Sequence, residues 1–228
     1  PEMKAAPFVP DDPALPGLAA LFADRSPPPA VLELASRAAG YPLRGEAAVL
    51  SYARYWPGRR AVAQWTFDDG QQPVIVSAEL DRRDQSAAET PLSRVEVFPN
   101  DRVLTALATV TEPRWAAANV VPLLGVEPGA ELRMRPLSYK SWRRCVIEYA
   151  FEQDGRPRRV YGKLFRDDRG AALYRRLRHA EAALAAAGSI WRLPRTLAYL
   201  PEVRMLLQEE LPGAESLSEL ARRAPGDE

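Results

Sequence analysis

The sequence has little of several residue types that define whole classes of protein. Its single cysteine, Cys145, cannot form an internal disulfide, so nothing points to a secreted, disulfide-stabilised fold. No apolar run reaches the ~18–20 residues that a membrane-spanning helix needs, and the first residues lack the apolar core of a signal peptide. With one histidine, His179, the chain has no Cys/His cluster at metal-ligand spacing. These absences predict a cytoplasmic protein with no membrane partner and no such metal site.

The composition is that of an ordinary folded protein. Of the 228 residues, 46% are hydrophobic and 27% are charged, which is enough apolar material for one large domain or two small ones. The 22 prolines indicate many loops and short elements.

Charge is distributed unevenly along the chain. The segment from Glu131 to Arg195 contains 16 Lys and Arg against 7 Asp and Glu, a net charge of +9, whereas the remainder carries a net charge of −8. Such an excess favours a partner that carries phosphates, whether a nucleotide, a phosphorylated product or a nucleic acid. A solvated arginine-rich surface explains the same count equally well.

The sequence contains an internal repeat, which is visible in two blocks. "YWPGRRAVAQWTFDDG", starting at Tyr55, aligns with "YKSWRRCVIEYAFEQDG", starting at Tyr139, through five identities at a constant offset of 84 residues. Upstream, "FVPDDPALPGLAAL" aligns with "VFPNDRVLTALATV" through four identities at an offset of 89. Gly40 and Gly125 lie between the blocks in the same order. Two related units are therefore predicted, with the boundary near residue 90.

Each unit is predicted to fold as two helices followed by an antiparallel sheet. A P-x-D turn opens the first helix, which Asp12 or Asp101 is placed to cap. The second helix is predicted over 29–39 and over 113–124, each time ending at its glycine. Alternating apolar and polar residues predict sheets with one covered face. The predicted fold class is therefore α+β, with units over 1–90 and 91–228.

The second unit continues beyond the elements of the first. "RDDRGAALYRRLRHAEAALAAAG" predicts a helix that stops at Gly188 and has an apolar face formed by Leu173, Leu177, Ala180 and Leu184. "PRTLAYL" and "RMLLQEELPG" predict two further strands. Ser216 with Glu219 is predicted to cap a final helix.

This order of elements resembles the small lobe of the protein-kinase-like fold. More narrowly, it is similar to the bacterial aminoglycoside and choline kinase-like phosphotransferases, in which a "Y-x-P-G-x-R" hairpin, a lysine on the third strand and an "L-L-x-E-x-L-P-G" hinge recur. The hairpin motif is fullest in the first unit, as "YWPGRR", and becomes "YKSWRR" in the second. The lysine, Lys163, occurs only in the second unit, and the alignment places Ala78 opposite it. The resemblance therefore implies a kinase-like small lobe over 91–228, preceded by a degenerate copy.

The resemblance implies that Lys163 contacts the phosphates of a nucleotide. Such a site needs a compact cation on a rigid strand and a carboxylate that orients it. Glu181 is the only acidic residue in the following helix and is the candidate for that partner. In the alternative interpretation Lys163 is an exposed strand residue, and Glu181 pairs along the helix with Arg178 or Arg176.

The resemblance also implies a hinge and a phosphate-covering turn. The hinge comprises Gln208, Glu209 and Leu211, and its backbone groups would contact adenine. The turn "SYKSWRR" would cover the phosphates, but it lacks glycine, so Lys140 or Arg143 would have to contribute charge. Outside this site, His179 is predicted to lie on a helix surface and Cys145 in the core.

The catalytic residues of such enzymes have no counterpart in this sequence. Phosphoryl transfer needs an Asp that receives the proton and Asn or Asp ligands for magnesium, which in this family belong to the large lobe. The 15 residues after Gly213 contain no such motif. The predicted function is therefore the nucleotide-binding, N-terminal part of an ATP-dependent small-molecule phosphotransferase. This chain alone is expected to bind ATP weakly or not at all, and magnesium only together with a large lobe supplied from elsewhere.

Two other functions stay open. The chain would be a non-catalytic binding or adaptor module if it uses the small lobe twice without a catalytic lobe. A basic nucleic-acid-binding module is less favoured, because few aromatic residues besides Trp142 and Tyr149 lie among the arginines to stack on bases.

Overall fold

The computed structural model describes residues 11–68, 73–84, 92–125, 132–153 and 155–211. The protein is of the mixed α+β class, as predicted, with two antiparallel sheets. The chain forms two compact units, the first made of Pro1–Ala108 with Lys140–Trp142, the second of Thr109–Tyr139 with Arg143–Glu228. The predicted boundary near residue 90 and the predicted helix cap at Ser216 lie outside the described residues.

The first unit begins with two helices, α1 (Leu18–Phe22) and α2 (Pro29–Ala39). As predicted, α2 starts at a proline and ends at Gly40, whose φ of 81° is a left-handed conformation that glycine adopts without strain. A four-stranded sheet follows in the order β1 (Ala48–Trp56), β2 (Arg60–Phe67), β3 (Val74–Asp81) and β4 (Arg94–Val97). The sequence did not predict β4, because four residues are too few to show an alternating pattern.

The two helices cover one face of the first sheet. The buried side chains on this face come from alternate positions of two strands: Ala61, Ala63, Trp65, Phe67, Val76, Ala78 and Leu80. Trp65 is fully buried and donates a hydrogen bond from Nε1 to the carbonyl oxygen of Arg25 at 2.9 Å. A buried aromatic side chain of this size contributes about 4–6 kcal/mol of hydrophobic stabilisation, so Trp65 is central to this core.

The opposite face of the first sheet carries buried polar side chains. Gln64, Ser77 and Glu79 are all buried there. The Oγ of Ser141 donates a hydrogen bond to Oε1 of Gln64 at 3.0 Å and shares a short hydrogen bond with the hydroxyl of Ser77. Arg102 reaches Glu79 at 2.7 Å. These partners satisfy groups that would otherwise be costly to bury.

Asp12 and Asp101 do not cap helices, contrary to the prediction. The helices begin six residues beyond them, at Leu18 and Leu107. One carboxylate oxygen of each accepts the backbone N–H two residues further on, which is the usual local bond of an Asp-headed turn. The other oxygen accepts the N–H of the middle residue of a hairpin turn, Gly58 or Trp142, at 2.8 Å in both cases. Each aspartate therefore holds a distant turn.

Two short helices, α3 (Leu107–Val110) and α4 (Pro113–Asn119), precede the second sheet. A 3-10 turn over Val121–Leu124 follows α4 and ends at Gly125, which has a φ of 65°. The sequence predicted one continuous helix over 113–124. Pro122 interrupts it, because proline has no N–H and its ring clashes with the preceding helical turn.

The second sheet has five strands in the order β5-β6-β7-β9-β8. The strands are β5 (Arg133–Lys140), β6 (Arg144–Gln153), β7 (Arg156–Phe165), β8 (Thr196–Leu200) and β9 (Met205–Glu209). Helix α5 (Arg169–Ala186) connects β7 to β8. All five strands and α5 occur where the sequence predicted them.

One face of the second sheet is a closed apolar core. Cys145, Ile147 and Tyr149 alternate along β6 and are fully buried, which confirms the predicted core position of the cysteine. The Tyr149 hydroxyl donates to the carbonyl oxygen of Val110 at 2.9 Å, and burial raises the pKa of this tyrosine. A Cβ atom at Gly162 would lie 2.8 Å from the Tyr149 ring. The core is therefore tightly packed around this aromatic side chain.

Helix α5 covers the other face of the second sheet. Gly170, in its first turn, lies so close to Phe165 and Tyr199 that a Cβ atom there would approach their rings to 2.8 and 2.6 Å. Lys163 lies on the same face as Phe165, because side chains alternate along β7. His179 is exposed on α5, as predicted. No helix among the described residues is long and apolar enough to cross a membrane.

Candidate anion-binding site

The hairpin register identifies the residue of the first sheet that corresponds to Lys163. In the second sheet Lys163 pairs with Val146. In the first sheet Val62, which aligns with Val146, pairs with Glu79. The alignment that placed Ala78 opposite Lys163 is therefore wrong by one residue. A shift of one residue moves a strand side chain to the other face, and Ala78 lies on the helix-covered face, in the core.

Lys163 lines a cavity of about 310 Å³ in the second unit. Five of the six side chains that line this cavity are cations, and the sixth is aromatic: Arg143, Arg144, Lys163, Arg166, Arg169 and Phe165. No carboxylate is among these lining residues. The cavity is therefore suited to an anionic ligand.

Three elements bring these cations together. Arg143 is the last residue of the β5–β6 turn, and Arg144 opens β6, where it pairs with Phe165 at the end of β7. Arg166 and Arg169 follow at the start of α5. The Nζ atom of Lys163 lies 5.3 Å from the centroid of the Phe165 ring, which is within cation–π range.

Most of this positive charge is not neutralised within the unit. Among the described residues, Arg143, Arg144 and Lys163 have no carboxylate within salt-bridge distance. Arg166 and Arg169 share Asp167, at 3.5 and 2.8 Å. Hydrogen bonds from Arg169 lower the pKa of Asp167 to about 2, so this carboxylate is ionised at neutral pH and offsets one charge. The cavity keeps a positive excess.

Glu181 and Lys163 are not brought together. Oε1 of Glu181 accepts the backbone N–H of Thr196 at 2.8 Å, and Oε2 accepts a hydrogen bond from Arg178 at 3.2 Å. The carboxylate thus joins α5 to the start of β8. The Arg178 contact is the pairing along the helix that the sequence left open as the alternative.

The predicted hinge residues lie away from Lys163. Gln208 is a partly buried strand residue between Tyr161 and Thr196. The Glu209 N–H donates to the carbonyl oxygen of Arg195 at 2.9 Å, and its side chain pairs with the same arginine at 2.8 Å. Leu211 and Glu181 line a separate cavity of about 370 Å³. The predicted site residues are therefore divided between two places in the second unit.

The turn expected to cover phosphates is largely fixed in place. Trp142 is buried and has a φ of 60°, its N–H donates to Asp101, and its Nε1 donates to Glu96 at 2.6 Å. The Nζ of Lys140 lies 5.3 Å from the centroid of a tyrosine ring. Of this turn, only Arg143 lines the cavity with Lys163. The turn contributes one cation to the cavity and no backbone cradle.

The sequence reasoning missed three of the five cations. Arg144, Arg166 and Arg169 belong to the dipeptide "RR" after the turn and to "RDDR" after β7. Their signal was the local excess of basic residues, which gives no information on which arginines converge. That convergence depends on the pairing of β6 with β7 and on where α5 begins.

The described residues include no group of three or more His, Cys, Asp or Glu side chains that could hold a metal ion. Comparison of the chain with protein-family models, with curated proteins and with solved structures finds no match. The chemistry of the cavity must therefore be inferred from its own geometry and charge.

Proposed function

We propose that the second unit is the nucleotide-binding small lobe of an ATP-dependent small-molecule phosphotransferase, and that the cavity beside Lys163 binds the nucleotide phosphates. The observation that carries this proposal is the convergence of five cations, three of which have no carboxylate partner among the described residues. Guanidinium and ammonium groups bind phosphate oxygens through charge-assisted hydrogen bonds, which are stronger than neutral ones.

The topology of the second sheet supports the proposal. The order β5-β6-β7-β9-β8, with a helix between the third and fourth strands in the chain, is the order of the kinase-like small lobe. It places Lys163 on the third strand and α5 over the same face of the sheet. The resemblance seen in the sequence is thus consistent with the way the strands pair.

We also propose that the first unit is a degenerate copy of the same small lobe. Arg59 and Arg143 are each the last residue of a three-residue hairpin turn. The middle residues of those turns, Gly58 and Trp142, have φ values of 64° and 60°. Each middle N–H is held by an aspartate from an upstream turn. These shared details support duplication, whereas Glu79 in place of Lys163 makes the first unit unsuited to the same ligand.

In this proposal the second unit supplies only part of the enzyme. Its cations would hold the triphosphate, and magnesium would neutralise phosphate charge between the lobes. The magnesium ligands and the aspartate that accepts the substrate proton belong to the large lobe in this family. We propose that a partner chain, or another part of the protein, supplies them.

Titration of ATP with magnesium, followed by calorimetry or NMR, tests the proposal. Wild-type protein is expected to bind with a dissociation constant of about 1 mM or weaker, near −4 kcal/mol, because exposed charge contacts contribute little. Lys163→Ala should weaken binding at least about five-fold, the loss expected for one charge-assisted contact. Lys140→Ala is the matched control, since that lysine belongs to the same basic segment but not to the cavity. Equal affinity of Lys163→Ala and wild type would refute the assignment.

A non-catalytic polyanion-binding module is the second candidate. It is favoured by Glu181, whose carboxylate is used at Thr196 rather than at Lys163, and by the Glu209 N–H, which is used within the sheet. Inorganic tripolyphosphate separates the two functions, because it offers the same phosphates without adenine. Equal affinity for tripolyphosphate and ATP would favour the module. ATP turnover that Lys163→Ala abolishes would instead show a complete enzyme.

A further inference from the structure

The first unit has a cavity of its own at the matching place in its sheet. Its volume is about 630 Å³, and its lining consists of Trp56, Gly58, Arg59, Arg60, Asp81, Arg82 and Arg83. Four of these positions are each 84 residues before a residue of the Lys163 cavity: Arg59, Arg60, Asp81 and Arg82. The two hairpins therefore build a basic cavity from the same backbone positions.

The inner part of the first-unit cavity is neutralised by the protein itself. Glu79, at the register position of Lys163, has a side chain that is only 2% exposed. It pairs with Arg60 at 3.2 Å and with Arg102 at 2.7 Å. An internal carboxylate thus occupies the charge that Arg144 leaves open in the second unit. A ligand of the first unit must bind further out.

The outer part of the same cavity keeps two arginines without a close carboxylate. Arg83 pairs with Asp81 at 2.9 Å and holds the pKa of that carboxyl below its usual range, so Asp81 is occupied. Arg59 and Arg82 have no carboxylate within salt-bridge distance among the described residues. They are adjacent, because the Arg82 N–H donates to the carbonyl oxygen of Arg59 at 3.0 Å. Asp12, whose pKa Arg82 helps to lower, is already occupied by the Gly58 N–H and the Tyr55 hydroxyl, each at 2.8 Å.

We propose that this cavity binds a small phosphorylated molecule, with the phosphate held by Arg59 and Arg82. A pair of neighbouring guanidinium groups matches the oxygens of a phosphate, which presents more negative charge than a single carboxylate. The remaining volume far exceeds that of a phosphate ion and is within the range of small-molecule sites. Trp56 forms one wall, with the guanidinium groups of Arg54 and Arg60 at 4.4 and 4.3 Å from its ring centroid.

The stacking of Trp56 also argues against a nucleic acid as the ligand. A single-strand binding site offers aromatic faces on which bases stack. Here two guanidinium groups lie over the only aromatic ring among the residues that line the cavity. The site therefore presents charge and a closed aromatic wall, which suits a compact polar molecule.

NMR titration of the full chain with glucose 6-phosphate, inorganic phosphate and citrate tests this inference. The indole N–H of Trp56 and the amide of Gly58 report on the cavity directly. Glucose 6-phosphate is expected to shift both signals saturably, with a dissociation constant of about 1 mM or tighter. The double variant Arg59→Gln/Arg82→Gln removes two exposed side chains and should weaken this binding at least ten-fold. The matched variant Arg143→Gln/Arg166→Gln, in the second unit, should leave it unchanged.

Each contrary result is informative. Equal shifts with citrate, or wild-type affinity of the Arg59→Gln/Arg82→Gln variant, would overturn the phosphate assignment. Equal affinity for inorganic phosphate and glucose 6-phosphate would overturn the assignment of an organic ligand and leave the phosphate ion alone. The result is independent of the proposed ATP site, because Lys163 variants alter ATP binding without touching Arg59 or Arg82.

Discussion

Among single residues, positions 79 and 163 show how side-chain charge changes the use of a shared backbone position. Both pair with a valine of the preceding strand at the same register. Glu79 is buried and needs two arginines to compensate its lost hydration. Lys163 is half-buried, has no carboxylate partner among the described residues and faces a cavity lined by other cations. The first arrangement is complete without a ligand, and the second favours binding an anion.

The Glu79 cluster should contribute strongly to stability. Glu79→Gln removes the charge that compensates Arg60 and Arg102, whose side chains are only 31% and 32% exposed. We expect the free energy of unfolding to fall by about 3 kcal/mol, as for other buried pairs that lose one partner. Urea denaturation measures this loss. Glu33→Gln, in an exposed helix pair with Arg37, should change stability by less than about 0.5 kcal/mol. Similar losses for both variants would show that burial of Glu79 has no energetic consequence.

Asp12 should make stability depend on pH in the acid range. The backbone N–H of Gly58, and then the Tyr55 hydroxyl, hold the pKa of this carboxyl below its usual range. Since the folded pKa is lower than the unfolded one, the stabilisation is present above about pH 4 and is lost as pH falls through the folded pKa. Thermal melts from pH 6 to pH 2.5 should show a steeper decline for wild type than for Asp12→Asn. Asp11→Asn, an exposed neighbour, should follow wild type. Parallel curves for wild type and Asp12→Asn would contradict the role of the charge.

At the scale of elements, local signals predicted most of the fold. The proline start and glycine end of α2, and the alternation along β6, are patterns within a single segment, and both occur where expected. The break at Pro122 and the short strand β4 were missed because they depend on local sterics and on pairing with β3. Element types are therefore accessible from sequence where the pattern is long and periodic.

The candidate site was only partly accessible from the sequence. Lys163 was identified because the strand that carries it is well defined. The alignment error at Ala78 arose because strand register is fixed by hydrogen bonding and by which face is covered, neither of which is visible in a gapped alignment. Glu181 was assigned to Lys163 by its spacing, but the backbone N–H of Thr196 is its partner. Long-range pairing therefore decides which charged groups meet.

Glu181 offers a test of how α5 is used. Glu181→Gln weakens the link to Thr196 and removes the ion pair with Arg178, so we expect a loss of about 1 kcal/mol in stability. Because its carboxylate does not contact Lys163, the affinity for ATP should stay within about two-fold of wild type, well under 1 kcal/mol. Urea denaturation and calorimetry measure the two quantities. Glu202→Gln, at an exposed position, controls for the change of charge. A loss of ATP affinity as large as that of Lys163→Ala would show that Glu181 orients the lysine.

For the whole molecule, the compact units do not follow continuous stretches of sequence. The first unit includes Lys140–Trp142, which form the tip of the β5–β6 hairpin. Ser141 and Trp142 are 3% and 4% exposed and bond to Gln64, Glu96 and Asp101 within that unit. A fragment that ends at Ala108 therefore lacks part of the first unit's buried structure.

This composition predicts that Trp142 stabilises the first unit although it lies far along the chain. Trp142→Ala in the full chain leaves a large void and removes the Nε1 bond to Glu96, so we expect a loss of about 3–5 kcal/mol. Hydrogen exchange measured by mass spectrometry should show faster exchange in β2 and β3, whose buried polar face lies next to this turn. Trp191→Ala, at a position that is 75% exposed, should leave exchange in these strands unchanged. A fragment of residues 1–108 should exchange at least as fast as Trp142→Ala. Protection of β2 and β3 at the full-chain level in that fragment would show that residues 140–142 are dispensable for the first unit.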